Sequence, residues 1–419
     1  MTETALDLAA FISAAPTPYH AVAESVRRLQ EAGFTEQKVT GEWDEGPGGR
    51  YLVRDGTLLA WFVGENAGPG SAFRIFAAHT DSPTLKVKPR PDTGTAGWRQ
   101  AAVEVYGGPV WNSWLDRDLG LAGRLALYDG SVVLVNSDRP LLRVPQLAIH
   151  LDREVNQGFK LDPQRHLLPV WGLGHAQEGD LLEFLAAEVG VDAAQVAAHD
   201  LVVHDVNPPA LLGSDNELLA APRLDNQASL HAGLSALLAA AGTDASTIPV
   251  LVGFDHEEVG SDSATGAGGP LLEWVLTTLA GGESRRMPVF ASSRCLSVDV
   301  TQAVHPNFLE KYEPNHIVRP NHGPAMKVNA NQRYATDAVG AAAWHRAGRD
   351  AQVPTQVFVS RNNLPCGSTV GPILSTRLGI RTVDVGIGVL SMHSARELCG
   401  AEDPGHMAAV ATAFLTDPA

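Results

Sequence analysis

Apolar and polar positions along the chain fall into two regimes. Before about residue 90 and again from Asn226 onward, short apolar runs alternate with segments of helical period. Residues 16–33 show the first clear helical pattern: Pro16-Thr17-Pro18 opens it, Val22, Val26 and Leu29 share one face, and Gly33 stops it. Residues 73–78 form a short apolar run ending in His79-Thr80-Asp81, as expected of a buried strand with polar residues at its C-terminal end. Residues 227–241 are Ala- and Leu-rich and predict a helix, and residues 250–254, 296–300, 356–359 and 382–385 predict further buried strands. Such alternation predicts an α/β sheet.

Between these parts the pattern changes. Apolar runs at 103–106, 124–127, 132–135 and 147–149 are separated by Gly, Pro, Asp and Asn, and one helical segment, 180–189, interrupts them. This spacing predicts a mostly β module. The expected organisation is an α/β domain made from residues 1–89 and 217–419, with a β-rich domain of residues 90–216 inserted into it.

Length and charge narrow the function. With 419 residues, the chain exceeds what one ordinary core organises. Its formal net charge of -16 argues against a nucleic-acid partner, which needs a basic face. The three cysteines, Cys295, Cys366 and Cys399, are too few and too odd in number for a disulfide framework and fit a reducing compartment. The N-terminal segment lacks a basic stretch followed by an apolar run, and no stretch reaches the roughly 18 apolar residues of a membrane span. A soluble, cytoplasmic protein without a membrane partner is therefore expected.

Chemistry-bearing residues cluster after the expected strands. His79 and Asp81 follow 73–78, Asp255-His256-Glu257-Glu258 follow 250–254, Asp299 lies near the end of 296–300, and His393 lies beyond 382–385. Open α/β sheets bind ligands outside the carboxyl ends of their strands, so these groups are candidates to converge on one site. Two histidines with several carboxylates suit zinc, cobalt or manganese. In an extended segment His79 and Asp81 point the same way, so Asp81 could orient the imidazole while its other nitrogen binds metal; a turn before Ser82-Pro83 is the plainer alternative. In the Glu257-Glu258 pair one carboxylate could bind metal and the other take a proton from water, unless both are simply solvated. Asp225, just before the Ala-rich segment, suits either a helix N-cap or a bridging ligand.

Long ordered motifs then carry a resemblance: AAHTDSP (77–83), YGGPVWNSWLDRDLGLAGR (106–124), LAIHLDREVN (147–156), PRLDN (222–226), FDHEEVGS (254–261), KVNANQRYAT (327–336), CGSTVGPI (366–373) and LSMHSARE (390–397). With these the chain resembles the aspartyl aminopeptidase family of cocatalytic zinc metallopeptidases over almost its whole length. The resemblance implies a mixed-sheet α/β catalytic domain binding two divalent ions, most naturally zinc, with the inserted β-rich domain serving assembly. It implies Asp225 as the bridging ligand, followed by a cis peptide to Asn226. His79 and Asp299 would complete one metal shell, and Glu258 and His393 the other. Glu257 would be the general base and Asp81 the residue that orients His79.

The same resemblance implies removal of N-terminal residues from peptides with a free amino terminus, with preference for Asp or Glu. Lys327 would face the acidic side chain; holding local structure with Asn329 and Asn331 is its alternative. His150 of a neighbouring subunit would reach the substrate in a tetrahedral homododecamer; a structural histidine in a buried strand is the alternative there. Two departures stand near the expected site rim: Asn363 where the family usually has Asp, and Gly388 in a segment that usually contains Pro. A related two-metal deacylase, a broader-specificity aminopeptidase and a non-catalytic assembly protein are the competing readings.

Overall fold

Phe73–His79 is the strand around which the catalytic-type sheet is built, and every residue of it is buried. Its side chains alternate between two cores, as the two-residue repeat of a strand requires. Phe76 and Ala78 join one cluster with Leu8, Phe11, Leu230, Leu234 and Phe414. Phe73, Ile75 and Ala77 join the other with Trp61, Val250, Val252, Leu276 and Phe290. The computed structural model describes residues 2–44, 46–137, 139–243 and 245–417, which divide into two units.

The first unit holds the described residues up to Asp81, Pro209–Met392, and those from Glu397 onward. Its main sheet has nine strands in the order Thr35–Glu36, Gly48–Arg54, Thr57–Val63, Ile248–Phe254, Phe73–His79, Arg294–Val298, Arg381–Gly386, Ala325–Val328 and Gln356–Val359. Ile248–Phe254, Phe73–His79, Arg294–Val298 and Arg381–Gly386 run parallel as neighbours. Thr57–Val63 pairs antiparallel to Ile248–Phe254, so the sheet is mixed and the α/β expectation holds. A second, five-stranded sheet contains Leu218–Ala221, Glu397–Gly400 and Gly388–Leu390.

Helices cover the main sheet. Thr17 caps Pro18–Glu31, and Ala21, Val22 and Leu29 of that helix are buried. A helix the periodicity did not reveal, Thr2–Ala14, buries Ala5, Leu8, Phe11 and Ile12. It is tied down where the Asp7 carboxylate lies 2.7 Å from His231 Nε2 and accepts from Arg28 Nη1 at 2.8 Å. The helix Leu224–Ala240 is buried along most of its length, so its apolar residues show no stripe.

The second unit comprises the described residues of Ser82–Pro208 together with His393–Arg396. Its six strands are antiparallel, in the order Val132–Asn136, Leu119–Leu127, Val196–Asp205, Thr84–Thr95, Trp98–Tyr106 and Val170–Leu173. Leu85, Val103, Leu121, Leu125 and Leu201 form its core with Leu181 and Leu185 of the helix Asp180–Glu188. One expectation fails here. Residues 147–149 are not a strand; Leu147 and Ile149 are 55% and 53% exposed, and His150 sits in an exposed turn. The buried-strand alternative for His150 is thereby removed. Among the described residues no helix is long and apolar enough to cross a membrane.

The helix Leu224–Ala240 approaches the sheet closely at Gly233, where an added Cβ would stand 2.5 Å from the Phe76 ring and 2.7 Å from Leu251 Cδ1. Gly233→Ala should therefore destabilise the protein by about 1–3 kcal/mol through overpacking. A lowered calorimetric unfolding midpoint is the expected result; an unchanged or raised midpoint would contradict this close packing.

Candidate metal centre

Three adjacent parallel strands end together. Phe254 stands opposite His79, and Ser297 stands opposite Ala77. The chain leaving these ends carries Asp255 to Glu258 on one side of His79 and Asp299 on the other. His79 and Asp225 are 1% and 3% exposed. Nε2 of His79 lies 3.3 Å from Asp225 Oδ1 and 3.6 Å from Asp299 Oδ1.

Asp225 arrives from the start of the helix Leu224–Ala240, where Asp225 and Asn226 leave helical conformation and the Asp225–Asn226 peptide is cis. Two contacts hold this turn. The Asp225 amide donates to Glu397 Oε2 at 2.9 Å, and Asn226 Nδ2 donates to the Val298 carbonyl at 2.8 Å. The Asp225 carboxylate thus faces His79, and Arg223 precedes the helix without a side-chain cap.

Asp81 joins the histidine to the two glutamates. Its Oδ1 and Oδ2 accept from the amides of Glu257 and Glu258, each at 3.1 Å. His79 Nδ1 lies 3.0 Å from the Asp81 carbonyl oxygen and 3.4 Å from Oδ1. One aspartate therefore fixes the imidazole through its backbone and side chain, and the Glu257–Val259 turn through its carboxylate. His256 braces the same turn, with Nδ1 3.0 Å from Ser263 Oγ.

The donor set fits a divalent cation. Ligand atoms of His79, Asp225 and Asp299 lie within 4.8 Å of one another, and so do those of His79, Glu257 and Glu258. Imidazole with carboxylate oxygens is the zinc type of set. Grouped carboxylates in a buried place are costly unless a cation or proton offsets them. Burial acts to lower the pKa of His79, but the neighbouring Asp225, Asp299 and Asp81 outweigh it and raise it well above the ordinary value. Burial pushes the Glu257 carboxyl up to about 7; His79 opposes this, while Asp299, Asp81 and Asp225 add to it.

Lys327 stands beside the cluster, on the strand Ala325–Val328. Its buried ammonium donates to the Val300 carbonyl at 2.8 Å, lies 3.4 Å from Asp299 Oδ2, and sits 5.5 Å from the Tyr334 ring centre. Of the other candidates, His393 and His150 belong to the second unit, where His393 Nδ1 lies 3.0 Å from the Gly108 carbonyl. Sequence reasoning did not single out Glu397 or Tyr334. Both lie inside quoted motifs, LSMHSARE and KVNANQRYAT, as large polar residues with no assigned task.

The pH dependence of the metal-free protein follows from Glu257. An acid whose folded pKa is raised binds more protons folded than unfolded, so its contribution to stability falls as pH rises from about 4.3 towards the folded value. In chelator-stripped protein, Glu257→Gln should unfold at higher temperature than wild type at pH 8, with the difference vanishing near pH 4. An equal difference at both pH values would show that the carboxyl is not raised.

The family model for aminopeptidase I zinc metalloproteases (M18) matches residues 11–415. A probable M18 family aminopeptidase 2 of Streptomyces avermitilis is 58% identical over 417 residues, covering 98% of this chain and 96% of its own. Among solved structures, one of the Ape4 and Nbr1 complex is similar with a TM-score of 0.96 at 36% identity, covering 99% of this chain and 86% of that one. The mApe1 dodecamer of S. cerevisiae is similar with a TM-score of 0.86 at 30% identity, covering 99% and 96%. A match of this extent, on a chain whose strand ends gather a zinc-type donor set, means that the protein belongs to the M18 family of aminopeptidases and is a zinc metallopeptidase.

Proposed function

We propose that the centre holds two divalent ions, with zinc as the natural occupant and cobalt or manganese as workable substitutes. Asp225 would be shared by both ions, His79 and Asp299 would hold one, and Glu258 and His393 would hold the other. The observation that carries this reading is His79 set between Asp225 and Asp299, with Glu257 and Glu258 held on Asp81 at the ends of three parallel strands. Such ions, when bound, supply Lewis acidity to the scissile carbonyl and lower the pKa of water.

The chain's own residues do the proton work. Glu257 takes a proton from the attacking water and returns it to the leaving amine. Its half-buried, upward-shifted carboxyl and the Asp81 contact to its amide support this role. Asp81 keeps the His79 ring oriented, which sets the basicity of its free nitrogen. The substrate is a peptide with a free N-terminus, and cleavage releases its first residue. Glu257→Gln should keep its zinc yet lose about 10²–10⁴-fold in kcat; near-normal turnover in this variant would exclude it as the base.

For specificity the first reading is a preference for N-terminal Asp or Glu, with Lys327 as the cationic partner and His150 of a neighbouring subunit reaching the substrate. One observation favours a second reading, broader specificity: the Lys327 ammonium is already engaged by Asp299 and the Val300 carbonyl. Assembly into a tetrahedral homododecamer through the second unit is supported by the similar mApe1 dodecamer and by exposed Leu147, Ile149, Leu151 and Leu173. A cytoplasmic setting is supported by three free cysteines.

Zinc-loaded protein incubated with peptides differing only in the first residue separates the readings. Chelator-sensitive release of Asp and Glu, lost selectively in Lys327→Ala, supports the acidic preference. Chelator-sensitive release of neutral residues, with Lys327→Ala affecting all peptides alike, supports the broader aminopeptidase and makes Lys327 a partner of Asp299 only. Zinc-bound protein that releases nothing would overturn peptide cleavage and favour a deacylase.

A further inference from the structure

The strand Arg381–Gly386 carries a charge at its centre. Asp384 is fully buried between Val383 and Val385, opposite Ser297 of the neighbouring strand. Strand pairing does not need a carboxylate there, and an aliphatic residue would avoid its desolvation. The carboxylate instead joins two loops. Its Oδ1 accepts from the Thr369 hydroxyl, and its Oδ2 accepts from the Ala335 amide at 2.6 Å. The Asp384 amide also donates to Thr336 Oγ1 at 2.9 Å. Gly371 leaves room for the carboxylate, because a Cβ there would come within 2.4 Å of Oδ1.

Both anchored segments lead into one cleft. Tyr334 immediately precedes Ala335, and Pro365 lies four residues before Thr369. The cleft has a volume of about 270 Å³ and is lined by Tyr334, Phe358, Leu364 and Pro365, with Lys311 and Arg361 among its polar residues. Tyr334 and Phe358 pack edge to face at 6.4 Å. The Tyr334 ring also meets the Lys327 ammonium, 5.5 Å from its centre, and that ammonium contacts Asp299. The Tyr334 wall is therefore linked through Lys327 to a candidate zinc ligand. Partly buried Cys366 packs against the same cluster of Tyr334 and Phe358.

We infer that Asp384 is a positioning residue for substrate: by pinning Ala335 and Thr369 it fixes the Tyr334 wall of this cleft, and so governs substrate binding without touching the zinc ligands. Asparagine at this position is nearly isosteric: it can keep an oxygen for the Ala335 amide, but it sets a neutral N–H opposite the Thr369 hydroxyl, so the charge-assisted bond from that hydroxyl is lost.

The test compares full-length, zinc-loaded wild type with Asp384→Asn. KM for the best peptide of the first-residue series should rise about tenfold, the equivalent of one weakened charge-assisted bond. At the same time kcat should stay within about twofold and zinc content should be unchanged, a split that general destabilisation does not produce. Because the kinetic arm presupposes the peptide-cleaving reading of the site, a second readout is independent of it. Cys295 and Cys399 are buried, so iodoacetamide reports on Cys366, which should alkylate several-fold faster once the wall loosens. Thr369→Val should move both readouts the same way, and Thr369→Ser, which keeps the hydroxyl, should reverse the change; this pair decides the matter if Asp384→Asn does not fold. Folded variants with wild-type KM and wild-type Cys366 reactivity would overturn the inference, as would loss of zinc with KM unchanged. Wild type that cleaves no peptide would remove the peptidase reading, while the Cys366 rates would still decide the role of Asp384.

Discussion

Repulsion among carboxylates is the constraint on which this architecture turns. Asp81, Asp225, Asp299, Glu257 and Glu258 crowd around one buried imidazole. Two like charges 4 Å apart cost about 4 kcal/mol at an effective dielectric constant of 20, and several such pairs meet here. A chain free to relax would separate them. What prevents this is backbone: three strand ends in parallel register, and a helix seated so tightly on Phe76 that only a glycine fits between. A raised His79 pKa is the sign that a cation, proton or metal, is what the cluster demands.

The groups around the cluster each restrain one member of it. Asp81 spends both carboxylate oxygens on the Glu257 and Glu258 amides, so the two glutamates share one anchor. Lys327 sets a buried positive charge against Asp299. Glu397 and the Val298 carbonyl fix the backbone on either side of the Asp225–Asn226 peptide. Each contact serves geometry more than stability, since every one buries a polar group that water would otherwise solvate.

How much of this could be read from sequence depended on which physical signal each residue left. The parallel strands were legible because burial on both faces makes them continuous apolar runs, and the polar residues just after them marked the site. Helix Pro18–Glu31 was legible from the shared face of Val22, Val26 and Leu29 between the Pro16-Thr17-Pro18 opening and Gly33. Thr2–Ala14, rich in small apolar residues, left no clear stripe, and the long-range contact of Asp7 with His231 has no local sequence signature. Residues 147–149 misled for the opposite reason: an apolar triplet looks the same whether it faces a core or the surface, and here Leu147 and Ile149 face outward. Asp225 was ambiguous because an aspartate at a helix start serves a cap or a ligand equally well, and its approach to His79 is a long-range contact without a local signature. Glu397 and Asp384 were invisible because their partners, the Asp225 amide and the Ala335 amide, are backbone groups far away in sequence.

The short excursion of His393–Arg396 into the second unit bears on how the gene can change. Loops between strands ordinarily absorb insertions and deletions with little harm. This one joins Gly388–Leu390 to Glu397–Gly400, which pair antiparallel with Leu390 opposite Leu398, and Glu397 at its far end accepts from the Asp225 amide. One residue added or removed has to be absorbed between a fixed strand pair and a fixed glutamate, or it shifts the backbone that presents Asp225. Seen as an evolutionary object, the loop behaves like a core element: its length is held by the strand pair and the glutamate at its two ends.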